Sequence, residues 1–496
     1  MKVWFTKETA FYRIALLAVF LIATFYRLYQ PIKFQALTQF DIFDWATQSK
    51  QILLSEQAPG HNLFVFPLFN SILSKITDIN LFYVYLFGGA VITLITFLVI
   101  LKISEMLFEN RLARLFVLLL YSTSTFLLPR SIMYLPEAFT YLIGMYLVYL
   151  FVKLFKEGNF IYLVLIFICN YFFFHLHQNG LNFIFFSVVA VVLFLLLHPK
   201  YQLKIKLFFI STLAVLVTSV LLLNKSLLNN FRFFLTRGDN LDPAFNGVVI
   251  PFANILTAFS VVFFLLLMLG AITEFAMQFR QKEIYKRQAF LMIFLITFVY
   301  FCFLYLFPNL NIYKLYPWRF YTWFSLYGAL LAGYGLNFLF QRLKQYKTLK
   351  LFLMGVMIFV AIPTSLVFDT MFTADLKTLD AMSKLPIQNN ALVLTTNANY
   401  FQAKYAFLGK PAIVNEVSQD LFRAASAKAA NDFLKKNYPA TEIYILVSLY
   451  QLRQRPGSID YWRNHAIFDM NLKLFSNREF FSEIFRDDQV LLVKKQ

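Results

Sequence analysis

The sequence predicts a polytopic α-helical membrane protein with a small α/β domain at its C-terminal end. Three observations predict it. Of its 496 residues 59% are hydrophobic and only 14% charged, with 63 Phe and 28 Tyr, more apolar surface than a compact soluble core could bury. A mean hydropathy of +0.63 makes lipid the solvent for much of the chain. From Asp369 the apolar runs shorten and Asn, Asp, Lys and Gln become common, so residues 1–368 read as a membrane domain and 369–496 as a separate α/β domain.

Read at about 17 to 25 residues per crossing, the apolar runs predict about eleven spans, near 11–29, 81–101, 112–128, 138–155, 160–174, 180–197, 207–223, 251–278, 289–307, 320–340 and 350–368. The first run begins like a signal peptide but has no small-residue cleavage site, so it is expected to remain as an anchor. Every second connection is short and basic. The series runs through Lys2, Lys7 and Arg13, then Lys102, Arg111 and Arg114, then Lys153 and Lys156, then Lys200, Lys204 and Lys206. It continues with Arg280, Lys282, Lys286 and Arg287, and with Arg342, Lys344, Lys347 and Lys350. Basic residues mark cytoplasmic loops, so the N-terminus is expected inside and, after an odd number of crossings, the C-terminal domain outside. The net charge of +19 is then a signal of topology rather than of nucleic-acid binding.

Cys169 and Cys302 both lie in apolar runs and read as small buried hydrophobes, with no disulfide framework. The outer segments, by contrast, collect acids, His, Asn and Pro, above all the stretch 30–80, where amphipathic helices are expected; chemistry is sought there. In the C-terminal domain ALVLTT (391–396), EIYILVSL (442–449) and QVLLVKK (489–495) read as strands, and 400–408 and 420–436 as helices. The domain has no Gly-rich phosphate loop. Its expected place is over an outer site, either as a lid without catalytic groups or with side chains that extend the site.

Directly after the first span, QFDIFDWATQSKQILLSEQAPGH reads as an amphipathic helix. Asp41, Asp44, Gln48 and Gln51 fall on one face, while Phe40, Phe43 and Ile52 lie off it and are expected to rest in the membrane interface. At an i, i+3 spacing the two carboxylates project about 5–6 Å apart, close enough to perturb each other's ionisation or to flank a cation or a hydroxyl. A solvated face or an N-terminal cap is the plainer role for the same pair. Farther on, Arg130, Pro136 and Glu137 stand at the rim of the fourth span, where an acid either faces a cavity or serves the helix dipole. The turn HLHQNG holds His175, His177, Gln178 and Asn179. Paired His suggests a metal, yet zinc needs three or four ligands and His61 is the sole other His in the outer membrane-proximal loops. Cations on the outer side include Lys225, Arg232, Arg237, Lys314 and Arg319, the last placed either to meet a phosphate or to snorkel towards lipid headgroups.

The spacing of Asp41, Ala46, Ser49 and Leu53, followed by Pro59 and Pro67, resembles the first outer loop of C-type membrane glycosyltransferases, the lipid-phosphosugar-dependent family that includes protein O-mannosyltransferases and lipid A aminoarabinose transferases. Members commonly show an Asp-Glu pair and an Ala five positions after the Asp. Asp41 and Ala46 match, Ile42 takes the place of the Glu, and Asp44 is the acid that stands in for it. Glu137 is similar to the acid that such enzymes carry in their second outer loop. Pro317 to Phe320 is similar to their Pro-x-Arg-[Tyr/Phe] segment, with Arg319 as its cation.

This resemblance implies a transferase that moves a sugar from a polyprenyl-phosphate carrier to a lipid, glycan or protein acceptor on the outer face of a bacterial or archaeal plasma membrane. Asp41, Asp44 and Glu137 would be its catalytic acids. Arg319, Arg237, Lys314 and Arg130 would meet the donor phosphate, and His175, His177, Gln178 and Asn179 the sugar or acceptor hydroxyls. No nucleotide site is needed, no cofactor is assigned, and a divalent metal stays an option. Two other classes compete: a transporter or lipid flippase, whose acids would bind protons or cations, with Glu274 the notable acid inside a span, and a noncatalytic assembly protein of the cell envelope.

Overall fold

The computed structural model describes residues 7–37, 40–55, 65–124, 126–176, 180–197, 250–277, 283–310 and 318–346, then 375–385, 391–395, 397–408, 413–416, 419–422, 424–439, 442–448, 471–486 and 490–496, with a few isolated positions besides. They fall into two compact units. A helical unit takes residues 1–26, 92–130 and 136–364, and a mixed unit takes 27–91, 131–135 and 365–496.

In chain order the helices of the membrane part are α1 (Lys7–Phe34), α2 (Phe40–Ser55), α3 (Val65–Thr77), α4 (Leu81–Leu107), α5 (Arg111–Thr123), α6 (Leu127–Ile132), α7 (Pro136–Glu157), α8 (Ile161–Leu176), α9 (Gly180–Leu197), α10 (Phe252–Phe259), α11 (Val261–Met277), α12 (Ile284–Phe301) and α13 (Trp318–Arg342). Their ends follow local chemistry. Asn110 caps α5, its Oδ1 accepting the Leu112 N–H at 2.9 Å, and Pro136, which has no N–H to lose, opens α7. Gln35 takes a positive φ of 51° and closes α1, its N–H donating to the Pro31 oxygen at 3.0 Å.

The helical unit is built on α13. Trp323, Tyr327 and Leu330 on it are buried, and Tyr300 of α12 stacks on Trp323 and Tyr327, each with centroids 5.7 Å away. Against α11 the approach is set by glycines. A Cβ on Gly270 would lie 2.4 Å from the Leu331 oxygen, and one on Gly335 would lie 2.2 Å from the Leu266 oxygen. Small residues at facing positions let two backbones touch, the device that replaces hydrophobic driving force where lipid is the alternative solvent.

Five helical segments among the described residues are long and apolar enough to cross a membrane: Ala10–Phe34, Leu81–Leu107, Pro136–Glu157, Ile284–Asn309 and Phe320–Arg342. The protein is therefore a helical membrane protein with a small C-terminal sheet, but the expectation of eleven spans is corrected. The run 112–128 contributes a helix of only 13 residues, about 20 Å against the about 30 Å of a hydrocarbon core, ending at the extended Ser124. The run 160–174 gives the 16 residues of α8. Ser260, at φ 68°, divides the run 251–278 into α10 and α11. Composition alone did not reveal these breaks. Side chains in parts of α9, and the runs 207–223 and 350–368, lie outside the described residues.

The mixed unit joins α2 and α3 to the C-terminal α/β fold. That fold contains α14 (Leu376–Lys384), β1 (Leu392–Thr395), α15 (Asn397–Phe407), β2 (Ile413–Glu416), α16 (Gln419–Phe422), α17 (Ala427–Asn437), β3 (Ile443–Ser448), β4 (Phe481–Arg486) and β5 (Val490–Lys495). The sheet order is β2-β1-β3-β5-β4, with β1 parallel to β2 and β3, and β5 antiparallel to β3 and β4. β1 is buried throughout, as its unbroken apolar run requires of a strand covered on both faces. One expected helix, 420–436, is two, because Ser426 breaks it and caps the second, accepting the Ala429 N–H at 3.1 Å.

Candidate functional site

Helix α2 carries both sequence-predicted acids. Asp41 is exposed in its first turn, and Asp44 is half-buried and accepts a hydrogen bond from Gln48 Nε2 at 3.1 Å. The opposite side holds the helix in place. Ile42, Phe43, Ala46, Thr47, Ser49 and Ile52 are all buried. Phe43 and Ile52 are therefore packed inside protein, not laid in a membrane interface, and the Phe43 ring meets Tyr405 edge-on at 5.7 Å. The expectation erred because periodicity marks an apolar stripe without saying whether lipid or protein covers it.

A buried hydrogen-bonded network fixes α2 to α3 and to the start of α4. Ser49 Oγ lies 2.9 Å from the Pro67 oxygen and 2.8 Å from the Tyr85 hydroxyl, and Ser71 Oγ donates to the Ser49 oxygen at 2.9 Å. Asn70 Nδ2 donates to the Phe66 oxygen at 3.0 Å and to Tyr85 at 3.3 Å, while its Oδ1 accepts from the Tyr134 hydroxyl at 2.8 Å. Space for Tyr134 is made by Gly88, where a Cβ would lie 2.5 Å from the ring. Each bond contributes about 0.5–1.5 kcal/mol, and a stranded partner costs more, so the network specifies one seating for α2.

From the C-terminal fold, α15 packs on α2. Lys50 Nζ donates to the Tyr405 oxygen at 2.7 Å and lies 4.8 Å from the ring centroid. Burial holds the Lys50 ammonium below the usual lysine range and pushes the Tyr405 hydroxyl up to about 12. None of Lys50, Asn70, Tyr85, Tyr134 and Tyr405 was singled out from sequence. A lysine inside an otherwise Asp/Gln-rich polar helix was the one visible signal.

The other predicted residues are distributed as follows. Arg130 on α6 and Glu137 in the first turn of α7 are half-buried and belong to the helical unit, and the main-chain oxygen of Glu137 accepts from Thr140 Oγ1 at 2.7 Å. Asp41 and Asp44 belong to the mixed unit. His175 lies in α8 and Arg319 in the first turn of α13, but their side chains lie outside the described residues, as do Arg237, Lys314, His177, Gln178 and Asn179 altogether. Among the described residues no three His, Cys, Asp or Glu side chains group as a metal site.

The helical unit brings together helix ends that carry the basic connections. Arg111 lies 5.7 Å from the Tyr12 ring centroid, the Asn110 N–H donates to Asn337 Oδ1 at 3.1 Å, and Lys286 pairs with Glu109 at 3.1 Å. A cavity of about 530 Å³ at this end is lined by Glu109, Glu274, Lys286, Asn337 and Arg342, among others. Glu274 there is 5% exposed. No family model matches the sequence, and no curated protein matches it.

Proposed function

We propose that the protein is an integral membrane glycosyltransferase using a polyprenyl-phosphate sugar as donor on the outer face of the membrane. The observation that carries the reading is the construction of α2: an acid-bearing helix directly after the first apolar helix, seated by the Ser49 network and tied by Lys50 to a C-terminal α/β fold. Rigid support behind a carboxylate face is what general-base chemistry requires.

In the proposed reaction an Asp41 carboxylate takes the proton of an acceptor hydroxyl as that oxygen bonds to the anomeric carbon. The bond from the anomeric carbon to the phosphate oxygen breaks, and polyprenyl phosphate leaves with the electron pair. Asp44, held by Gln48, places a second negative charge beside the oxocarbenium-like carbon. Arg319 enters as a phosphate contact and Glu137 as an acid on the strength of the resemblance, Arg237, Lys314 and Arg130 as further outer cations for the phosphate, and His175, His177, Gln178 and Asn179 as polar groups for sugar or acceptor hydroxyls. A divalent metal stays an option of that reading and no step is drawn through one.

A specific observation favours a second reading. A carboxylate buried in an apolar helix and lining a polar cavity, as Glu274 does, is the usual mark of proton or cation coupling in a transporter. A screen of radiolabelled polyprenyl-phosphate sugars with membranes holding the wild-type chain separates the two. Release of polyprenyl phosphate with label in an acceptor supports the transferase. Label that crosses the bilayer unchanged, in a manner lost in Glu274→Gln, supports transport instead.

A further inference from the structure

A second cavity of the helical unit, about 330 Å³ in volume, is walled by cations from four helices: Lys102 of α4, Arg114 of α5, Lys153 and Lys156 of α7, and Lys286 of α12. Two carboxylates, Glu105 and Glu109, share the lining, and Glu157 and Glu283 pair with its lysines from beside it, so five cations face four carboxylates. Most are engaged. Lys102 pairs with Glu105 at 2.9 Å, Lys153 with Glu157 at 2.6 Å, and Lys286 with Glu109 at 3.1 Å and Glu283 at 2.6 Å. Arg114 Nε donates to the Phe108 oxygen at 2.7 Å. Lys156 makes no salt bridge among the described residues, interacts electrostatically with Glu157 and Glu283, and lies 5.8 Å from the Tyr285 ring centroid.

Cations that merely anchor helix ends spread outward to headgroups or water. Here the side chains of Lys286 and Lys153 are 14% and 27% exposed, turned in on a shared space of ligand size. The space lies at the C-terminal ends of α4 and α7, two of the membrane-crossing helices, where the apolar zone stops. Lysine and arginine converging at such a boundary fit a phosphate, and basic pockets between spanning helices bind lipid headgroups.

We propose that this cavity is a binding site for a phosphate group, brought either by a phospholipid headgroup or by a small soluble phosphate. It is independent of the α2 site and of the transferase reading. The test uses the full-length protein, delipidated in neutral detergent and titrated with dioleoyl phosphatidylglycerol, with dioleoylglycerol, which has the same chains and no phosphate, and with inorganic phosphate. Native mass spectrometry reads what is retained. Phosphatidylglycerol or inorganic phosphate should be retained and dioleoylglycerol should not. Lys156→Gln should weaken retention about fivefold, the worth of one Lys near a headgroup, and Lys156→Arg should restore it.

Lys102→Gln, at a side chain 64% exposed and harmless to folding, should weaken retention in the same direction. Retention of the lipid that inorganic phosphate does not displace assigns the site to a headgroup. Retention of inorganic phosphate with displacement of the lipid assigns it to a soluble phosphate. Equal retention of phosphatidylglycerol and dioleoylglycerol with no inorganic phosphate bound, or full retention in both Gln variants, overturns the proposal.

Discussion

Lys50 on α2 donates to the main-chain oxygen of Tyr405 on α15 at 2.7 Å and rests its ammonium on the same residue's ring, so one lysine ties the acid-bearing helix to the C-terminal fold. Burial lowers its pKa relative to the unfolded chain, which therefore binds more protons between the two values. Stability from this group rises with pH across that window, and its burial cost is fully present below the folded pKa. The melting temperature of the wild type should climb relative to Lys50→Met as the pH is raised towards the ordinary lysine value of about 10.4. A constant difference between the two proteins would remove the lysine from the contact.

Asn70 is the junction of the network behind α2, with bonds to Phe66, Tyr85 and Tyr134. Asn70→Leu removes the Oδ1 acceptor of the buried Tyr134 hydroxyl and should cost about 1–3 kcal/mol. Tyr134→Phe removes the other half of the same hydrogen bond, so the double variant should cost less than the sum of the singles, read by denaturant unfolding in detergent. Strict additivity would mean that the two groups do not interact.

Gly335 meets backbone, not a side chain that can step aside: its Cβ would lie 2.2 Å from the Leu266 oxygen. Gly335→Ala should therefore force α11 and α13 apart and cost at least about 1–3 kcal/mol, the usual range for overpacking. A thermal-stability assay that found Gly335→Ala equal to wild type would contradict the helix contact.

Reporters fused after Lys204 and after Gln281 should read cytoplasmic, and one after Lys410 external, because short basic connections alternate along the chain. The contacts of Arg111 with Tyr12, of Asn110 with Asn337 and of Lys286 with Glu109 put several of those ends together in the helical unit. An external reading after Gln281 would reverse the topology.

Hydropathy marked the five long apolar helices, and periodicity marked α2 with both of its acids. What it left out has physical causes. The kink at Ser260 and the short α5 are set by backbone geometry that mean hydropathy averages away. Strands β1, β3 and β5 stand out as apolar runs, whereas β2 has only Ile413 and Val414 before the polar Asn415 and Glu416, and β4, an edge strand with a register shift between Glu483 and Phe485, is largely exposed. Lys50, Asn70 and Tyr405 depend on partners distant in sequence, and no local pattern announces such a contact.

The central claim is tested most directly by neutralising the two acids of α2 one at a time and measuring sugar transfer from a radiolabelled polyprenyl-phosphate donor. Asp41→Asn is nearly isosteric and cannot act as a base at neutral pH; it should lower turnover at least about a hundredfold while expression and donor binding persist. Asp44→Asn should cost less, since the proposed reaction uses Asp44, held by Gln48, only as a supporting charge. Wild-type turnover in both variants, or no turnover by the wild type with any donor, would contradict the account.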